Sequence, residues 1–113
     1  MEIEKIRITG HNLRNADVYR YQCLINDVII GDAIVIDYHD CKELHISSVQ
    51  IERSYRHRGR GSKLVKQIIS QARPGYKITA YSGMDLKDFW FGLGLTRKGQ
   101  MRAEGLYEYV LKV

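Results

Sequence analysis

Cysteine and proline are scarce in this 113-residue chain: there are two of the first, Cys23 and Cys41, and one of the second, Pro74. Two cysteines exclude the disulfide scaffold of a small secreted domain, and the expectation is a pair of reduced thiols in a cytoplasmic protein. A single proline, with no repeats and no low-complexity stretch, excludes collagen-like, linker-rich and disordered classes. No apolar run approaches the ~18 residues of a membrane-spanning helix, so no membrane partner is expected. The opening Met1–Ile6 segment is charged and alternating, which predicts no secretory signal. What remains is an ordinary globular composition, 44% hydrophobic and 27% charged, of a length that suits one domain, 1–113. A chain of this size buries enough surface to fold without a metal or disulfide staple.

The net charge is +5. All of the excess falls between residues 51 and 66, where Arg53, Arg56, Arg58, Arg60, Lys63 and Lys66 stand against Glu52 alone. A general nucleic-acid binder spreads its basic residues along a whole face. One short basic segment points to a local anion site instead.

Polar–apolar alternation predicts strands over residues 2–8, 18–25, 28–38 and 43–52, the middle two joined through Asn26-Asp27 as a hairpin. Gly10-His11-Asn12 and His39-Asp40-Cys41-Lys42 read as turns, and Gly31 as the mark of a bulge. From Ser62 to Ala72 the period changes. Leu64, Val65, Ile68, Ile69 and Ala72 form one apolar helical face, and Pro74-Gly75 closes it. A strand over 76–82 follows, then a short helix capped by Asp85 and ended by Gly94, then a strand over 106–113. About six strands, with two helices confined to the second half, predict a mixed α/β or α+β fold.

The chemistry sits where the fourth strand runs through Tyr55-Arg56-His57-Arg58-Gly59-Arg60-Gly61-Ser62 into the first helix. Glycines there let the backbone approach a ligand closely. The first helical turn leaves N–H groups without intrahelical partners at the positive end of the dipole, and the two together make a phosphate cradle. Two other phosphate motifs fail. A Walker loop needs Gly-Lys-Ser/Thr where this chain has Gly61-Ser62-Lys63. A dinucleotide fingerprint needs a small residue where Leu64 stands, and an acid closing the next strand, which ends Ala80-Tyr81-Ser82. No metal is expected, because His39-x-Cys41 has no partner pair at ligand spacing.

Ile51-x-Arg53-x-Tyr55-Arg56-His57-Arg58-Gly59-Arg60-Gly61, followed by Ser62-Lys63-Leu64, resembles the acetyl-CoA signature of the GNAT superfamily of N-acetyltransferases: Gln or Arg, two residues, Gly, one residue, then Gly or Ala. Asp88-Phe89-Trp90-Phe91-Gly92-Leu93-Gly94-Leu95 is similar to the family's short fourth helix, and the Tyr107–Leu111 strand fits after it. The resemblance covers most of residues 43–113. It implies a mixed, mostly antiparallel sheet with two helices, and an N-acetyltransferase that takes acetyl-CoA as co-substrate.

Carried over by residue, the resemblance implies that the backbone of Val49, Gln50 and Ile51 pairs with the pantetheine arm like an added strand. It implies that N–H groups from Arg56 through His57, Arg58, Gly59, Arg60 and Gly61 to Ser62 hold the pyrophosphate, with Arg56, Arg58 or Arg60 available to reach it. The family's base often sits on the fourth strand, where Glu43 and His45 share a face; His45 is preferred because an imidazole titrates at ~6.5. The family's usual acid is a tyrosine at the position of Trp90, and an indole cannot give its proton to a thiolate. Tyr81 or Tyr107 is then the substitute, Tyr81 being the one assigned here, and the family's asparagine before that helix is replaced by Ser82-Gly83.

About nine residues, Thr9 to Asp17, separate the first two predicted strands, where the family normally places two helices. An open acceptor side follows, suited to a bulky amine such as a protein lysine or N-terminus, or to a site completed in a homodimer. The alternatives are an acyl-CoA-binding or scaffold protein without turnover and, third, a small basic nucleic-acid module.

Overall fold

The computed structural model describes residues 1–8, 15–103 and 105–113, without the side chains of 100–103. Seven strands form one sheet: β1 (Glu2–Ile8), β2 (Ala16–Ile25), β3 (Val28–Tyr38), β4 (Glu43–Ile51), β5 (Lys77–Ser82), β6 (Thr96–Ala103) and β7 (Leu106–Lys112). Their order is β1-β2-β3-β4-β5-β7-β6. Every neighbouring pair is antiparallel except β4 and β5. That pair is parallel because a helix, α1 (Arg60–Ser70), crosses between them, the connection a parallel pair requires. A second helix, α2 (Lys87–Gly92), lies between β5 and β6.

The tight turns form where local chemistry expects them. Asn26 and Asp27 take φ values of +48° and +65°, the left-handed pair that a two-residue hairpin needs. The bulge expected at Gly31 is present: Cys23 pairs with Gly31 and Leu24 with Ile29, which leaves Ile30 as the extra residue. Glycine is required at 31 by β4, since a Cβ there would lie 2.5 Å from the Gln50 carbonyl oxygen. The apolar face of α1 buries Leu64, Val65 and Ile68 completely against Ile30, Ala33, Val35, Ile46 and Ile78 of the sheet. Each such side chain contributes about 1.5–3 kcal/mol of burial. Tyr21 of β2 donates to Gln71 Oε1 at 2.8 Å, tying the end of α1 to the sheet.

Several expectations are adjusted. The sheet has a seventh strand, β6, whose Thr-Arg-Lys-Gly-Gln-Met-Arg-Ala sequence has no alternation; as an edge strand it forms by pairing with β7. Helix α1 begins two residues before Ser62, with Gly59 as its N-cap at φ +73°. Asp85 does not cap α2: it lies within a preceding 3-10 turn, Met84–Leu86, and Leu86 holds the cap position. Gly94 ends α2 at φ +93° as expected. The Gly10-His11-Asn12 turn lies outside the described residues. The β1–β2 connection is residues 9–15, too short for a pair of helices.

Candidate functional site

β4 and β5 part company halfway. Their parallel pairing runs only from Glu43 with Lys77 to Ile46 with Ala80, whereas β4 stays paired with β3 as far as Ile51 with Gly31. At the parting point β4 bulges: Ile34 pairs with Ser48 and Val35 with Ile46, so Ser47 is the extra residue. Beyond it one edge of β4 no longer meets a strand, and a cleft of about 680 Å³ opens between β4, the start of α1, Tyr81 and Ser82 of β5, and α2.

The sequence-predicted cofactor residues converge on this cleft. Val49, Gln50 and Ile51 line it from β4; Arg56, His57 and Gly59 line it from the bend; Arg60, Gly61 and Ser62 line it from the first turn of α1. Arg58 is exposed and stands outside the lining. His57 and Gly59 both lie in the left-handed region, at φ +64° and +73°, which folds the chain sharply back into the helix. The first helical bond is Lys63 N–H to the Gly59 carbonyl, at 3.0 Å. The N–H groups of Arg60, Gly61 and Ser62 therefore lie outside the helical ladder, beside the positive end of the helix dipole. A Cβ at Gly61 would meet only Phe89 and Ile51, at 3.6 Å or more, so packing within the chain does not demand glycine there. Two of the arginines hold the bend itself. Arg56 Nε donates to the Ile51 carbonyl at 2.7 Å, and Arg60 Nη1 donates to the Tyr55 carbonyl at 3.3 Å, its guanidinium 5.4 Å from the Tyr55 ring centre.

A second, smaller pocket of about 300 Å³ lies beyond Tyr81, lined by Tyr38, Cys41, Glu43, His45 and Tyr81. Tyr81 lines both spaces, and its ring centre is 4.9 Å from that of His45. His45 sits in a chain of polar contacts. Its Nδ1 is 2.8 Å from Thr79 Oγ1, the Thr79 hydroxyl donates to Glu43 Oε2 at 2.7 Å, and Lys77 Nζ is 3.4 Å from Glu43 Oε1. Burial pushes the His45 pKa below its ordinary value of 6.5, opposed by the Glu43 and Glu108 carboxylates. Tyr107 lines neither space, and the Arg97 guanidinium lies 4.9 Å from its ring centre.

Trp90 reaches the cleft wall but is a core residue, 5% exposed, edge-on to Phe89 and stacked on Tyr109. Thr79 is the residue that sequence reasoning missed. Nothing in its own segment marks it, and only the register of β4 with β5 sets it beside His45.

The family model described as the acetyltransferase (GNAT) family matches residues 2–87. Sequence comparison with curated proteins finds no match. Among solved structures, Escherichia coli ElaA is similar at a TM-score of 0.74 and 15% identity, over 83% of this chain and 68% of that one. Arabidopsis thaliana Naa50, in complex with the bisubstrate analogue CoA-Ac-MVNAL, is similar at a TM-score of 0.71 and 15% identity, over 83% of this chain and 72% of that one. A Bacillus subtilis acetyltransferase in complex with CoA is similar at a TM-score of 0.70 and 11% identity, over 99% of both chains. At these identities the likeness is one of fold. The sequence match from the first strand to the start of the second helix is one of family, and the chain belongs to the GNAT family of acetyltransferases.

Proposed function

We propose that this protein transfers an acetyl group from acetyl-CoA to a primary amine carried by a peptide or protein, with His45 as the base and Tyr81 as the acid. The observation that carries this reading is the position of Tyr81 and His45 where the large cleft meets the small pocket. The residues present fit the co-substrate. The free edge of β4 at Val49, Gln50 and Ile51 offers main-chain partners to an extended arm, and the bend with the first turn of α1 offers N–H groups to a diphosphate. Exposed Arg53, Arg58, Lys63 and Lys66 surround that end with positive charge.

When bound, acetyl-CoA supplies a thioester, whose carbonyl carbon is the electrophile. His45 takes a proton from the attacking ammonium, so that the nitrogen lone pair is free to form the new C–N bond. As the C–S bond breaks, the Tyr81 hydroxyl gives its proton to the departing sulfur, and the second proton, shed by the acetylated nitrogen, returns through solvent to replace it. Trp90 cannot do so, and its indole is committed to packing on Phe89 and Tyr109. The small pocket suits an alkylammonium, because a carboxylate, Glu43, and the aromatic residues Tyr38 and Tyr81 line it. The Naa50 structure, whose bisubstrate analogue joins CoA to a peptide, supports an acceptor of peptide type on this fold. The two free thiols fit a cytoplasmic setting.

Thiol release from acetyl-CoA is to be followed with poly-L-lysine and, separately, with a lysine-free peptide bearing a free N-terminus. Acceptor-dependent release that falls about 10²–10⁴-fold in His45→Ala, with CoA binding retained, is the expected result. Tight CoA binding with no transfer to either acceptor would replace this reading with that of a binding protein, the outcome that Trp90 in place of a tyrosine favours.

A further inference from the structure

The pairing of β4 with β5 puts His45 opposite Thr79, and Thr79 is within reach of Glu43 two residues along β4. We infer that Glu43 and Thr79 are positioning residues that hold the His45 imidazole in one tautomer, with its proton on Nδ1 and its lone pair on Nε2. This rests on the reading of His45 as the base, and it names what makes the ring fit for that task.

A threonine hydroxyl has a single hydrogen to donate. An ionised carboxylate has none, so in the 2.7 Å contact between Thr79 Oγ1 and Glu43 Oε2 the hydrogen comes from Thr79. Thr79 Oγ1 then has only lone pairs to offer to the ring nitrogen 2.8 Å away, and the neutral imidazole must carry its hydrogen on Nδ1. Nε2 is left as the sole basic nitrogen, the atom that can take a proton from an amine. Lys77 Nζ lies 3.4 Å from the other carboxylate oxygen, so both oxygens of Glu43 face a donor. Thr79 is 1% exposed, so water does not compete for its hydroxyl. Without the chain, a neutral imidazole is free to place its hydrogen on Nε2, where the base must have none.

The test reads the tautomer directly, in the intact protein, by two-bond ¹H–¹⁵N correlation spectra of the imidazole side chains at a pH where His45 is neutral, with His45→Gln to assign the signals. A protonated Nδ1 and an unprotonated Nε2 are expected. The opposite pattern in the wild-type protein overturns the inference without any variant. In Thr79→Val the Nε2–H form should grow to half or more of the population, and Thr79→Ser, which keeps the hydroxyl, should restore the wild-type pattern. Turnover with poly-L-lysine should follow the tautomer, falling about tenfold or more in Thr79→Val with KM for acetyl-CoA within about twofold, as the loss of part of a general-base contribution requires. A Thr79→Val protein that keeps the wild-type tautomer sinks the inference. Full activity in His45→Ala sinks the base instead, and the tautomer spectra distinguish the two failures.

Discussion

At the scale of single residues, the site depends on how a few side chains and glycines are constrained. His45 is half-buried, and burial holds its pKa below the ordinary 6.5 despite the Glu43 and Glu108 carboxylates. The unprotonated ring therefore persists to lower pH than a free imidazole does, and the acidic limb of kcat/KM should lie below pH 6.5. Glu43→Gln removes a charge that favours the imidazolium, so the limb should move to still lower pH; movement upward would contradict the assignment of this limb to His45. The same shift has a sign for stability. The unfolded chain binds the His45 proton more readily, so this contribution is complete above about pH 6.5 and is lost as pH falls from there toward the folded pKa. Gly59 is constrained differently. No atom lies within 4 Å of a Cβ built there, but its φ is +73°, so Gly59→Ala pays only for the left-handed backbone, about 1–2 kcal/mol. A thermal melt should drop by about 4–8 °C per kcal/mol for a domain of this size. An unchanged melting temperature would mean that the bend relaxes freely out of its left-handed conformation.

Among the elements, α1 does two tasks at its two ends. Its first turn lines the cleft, and its middle is fixed by Leu64, Val65 and Ile68, all 0% exposed. Leu64→Ala should cost about 2–5 kcal/mol in urea unfolding, since the surrounding strands collapse only partly into the vacated volume. The cradle proposed for the cofactor is one turn away, so CoA affinity should fall with it; a destabilised protein that binds CoA as well as wild type would separate the cradle from the packing of the helix. The elements were legible in the sequence to unequal degrees. The α1 face shows in the spacing of Leu64, Val65, Ile68 and Ile69, and β2 and β3 show in their β-branched and aromatic content. β6 does not show, because an exposed edge strand needs no apolar face and is specified by its partner β7. Asp85 misleads for a related reason: a 3-10 turn precedes α2 and moves the cap to Leu86.

For the whole molecule, the consequential feature is where the charge lies relative to the cleft. The entire excess of +5 sits in residues 51–66, and that segment lines the end of the cleft proposed for the diphosphate. Affinity for CoA should therefore weaken as ionic strength rises from about 0.05 to 0.5 M, as screening over a Debye length of ~10 Å at 0.1 M shortens the reach of the exposed arginines and lysines. Calorimetric titration at the two salt concentrations measures it, and a salt-independent affinity would confine recognition to the main-chain N–H groups. Among the described residues no helix is long and apolar enough to cross a membrane.

Local interactions alone determined much of this protein: the alternation that makes strands, the 3.6-residue stripe that makes α1, and the basic, glycine-bearing bend between them. Each depends on residues close in the chain, whose steric and hydrogen-bonding preferences act before any long-range contact forms. The divergence of β4 from β5 was decided only in three dimensions, as was the placing of Tyr81 between two spaces. So was the meeting of His45 with Thr79, separated by 34 positions. Those outcomes depend on strand register and on where a parallel pairing stops, which are settled by packing across the whole sheet.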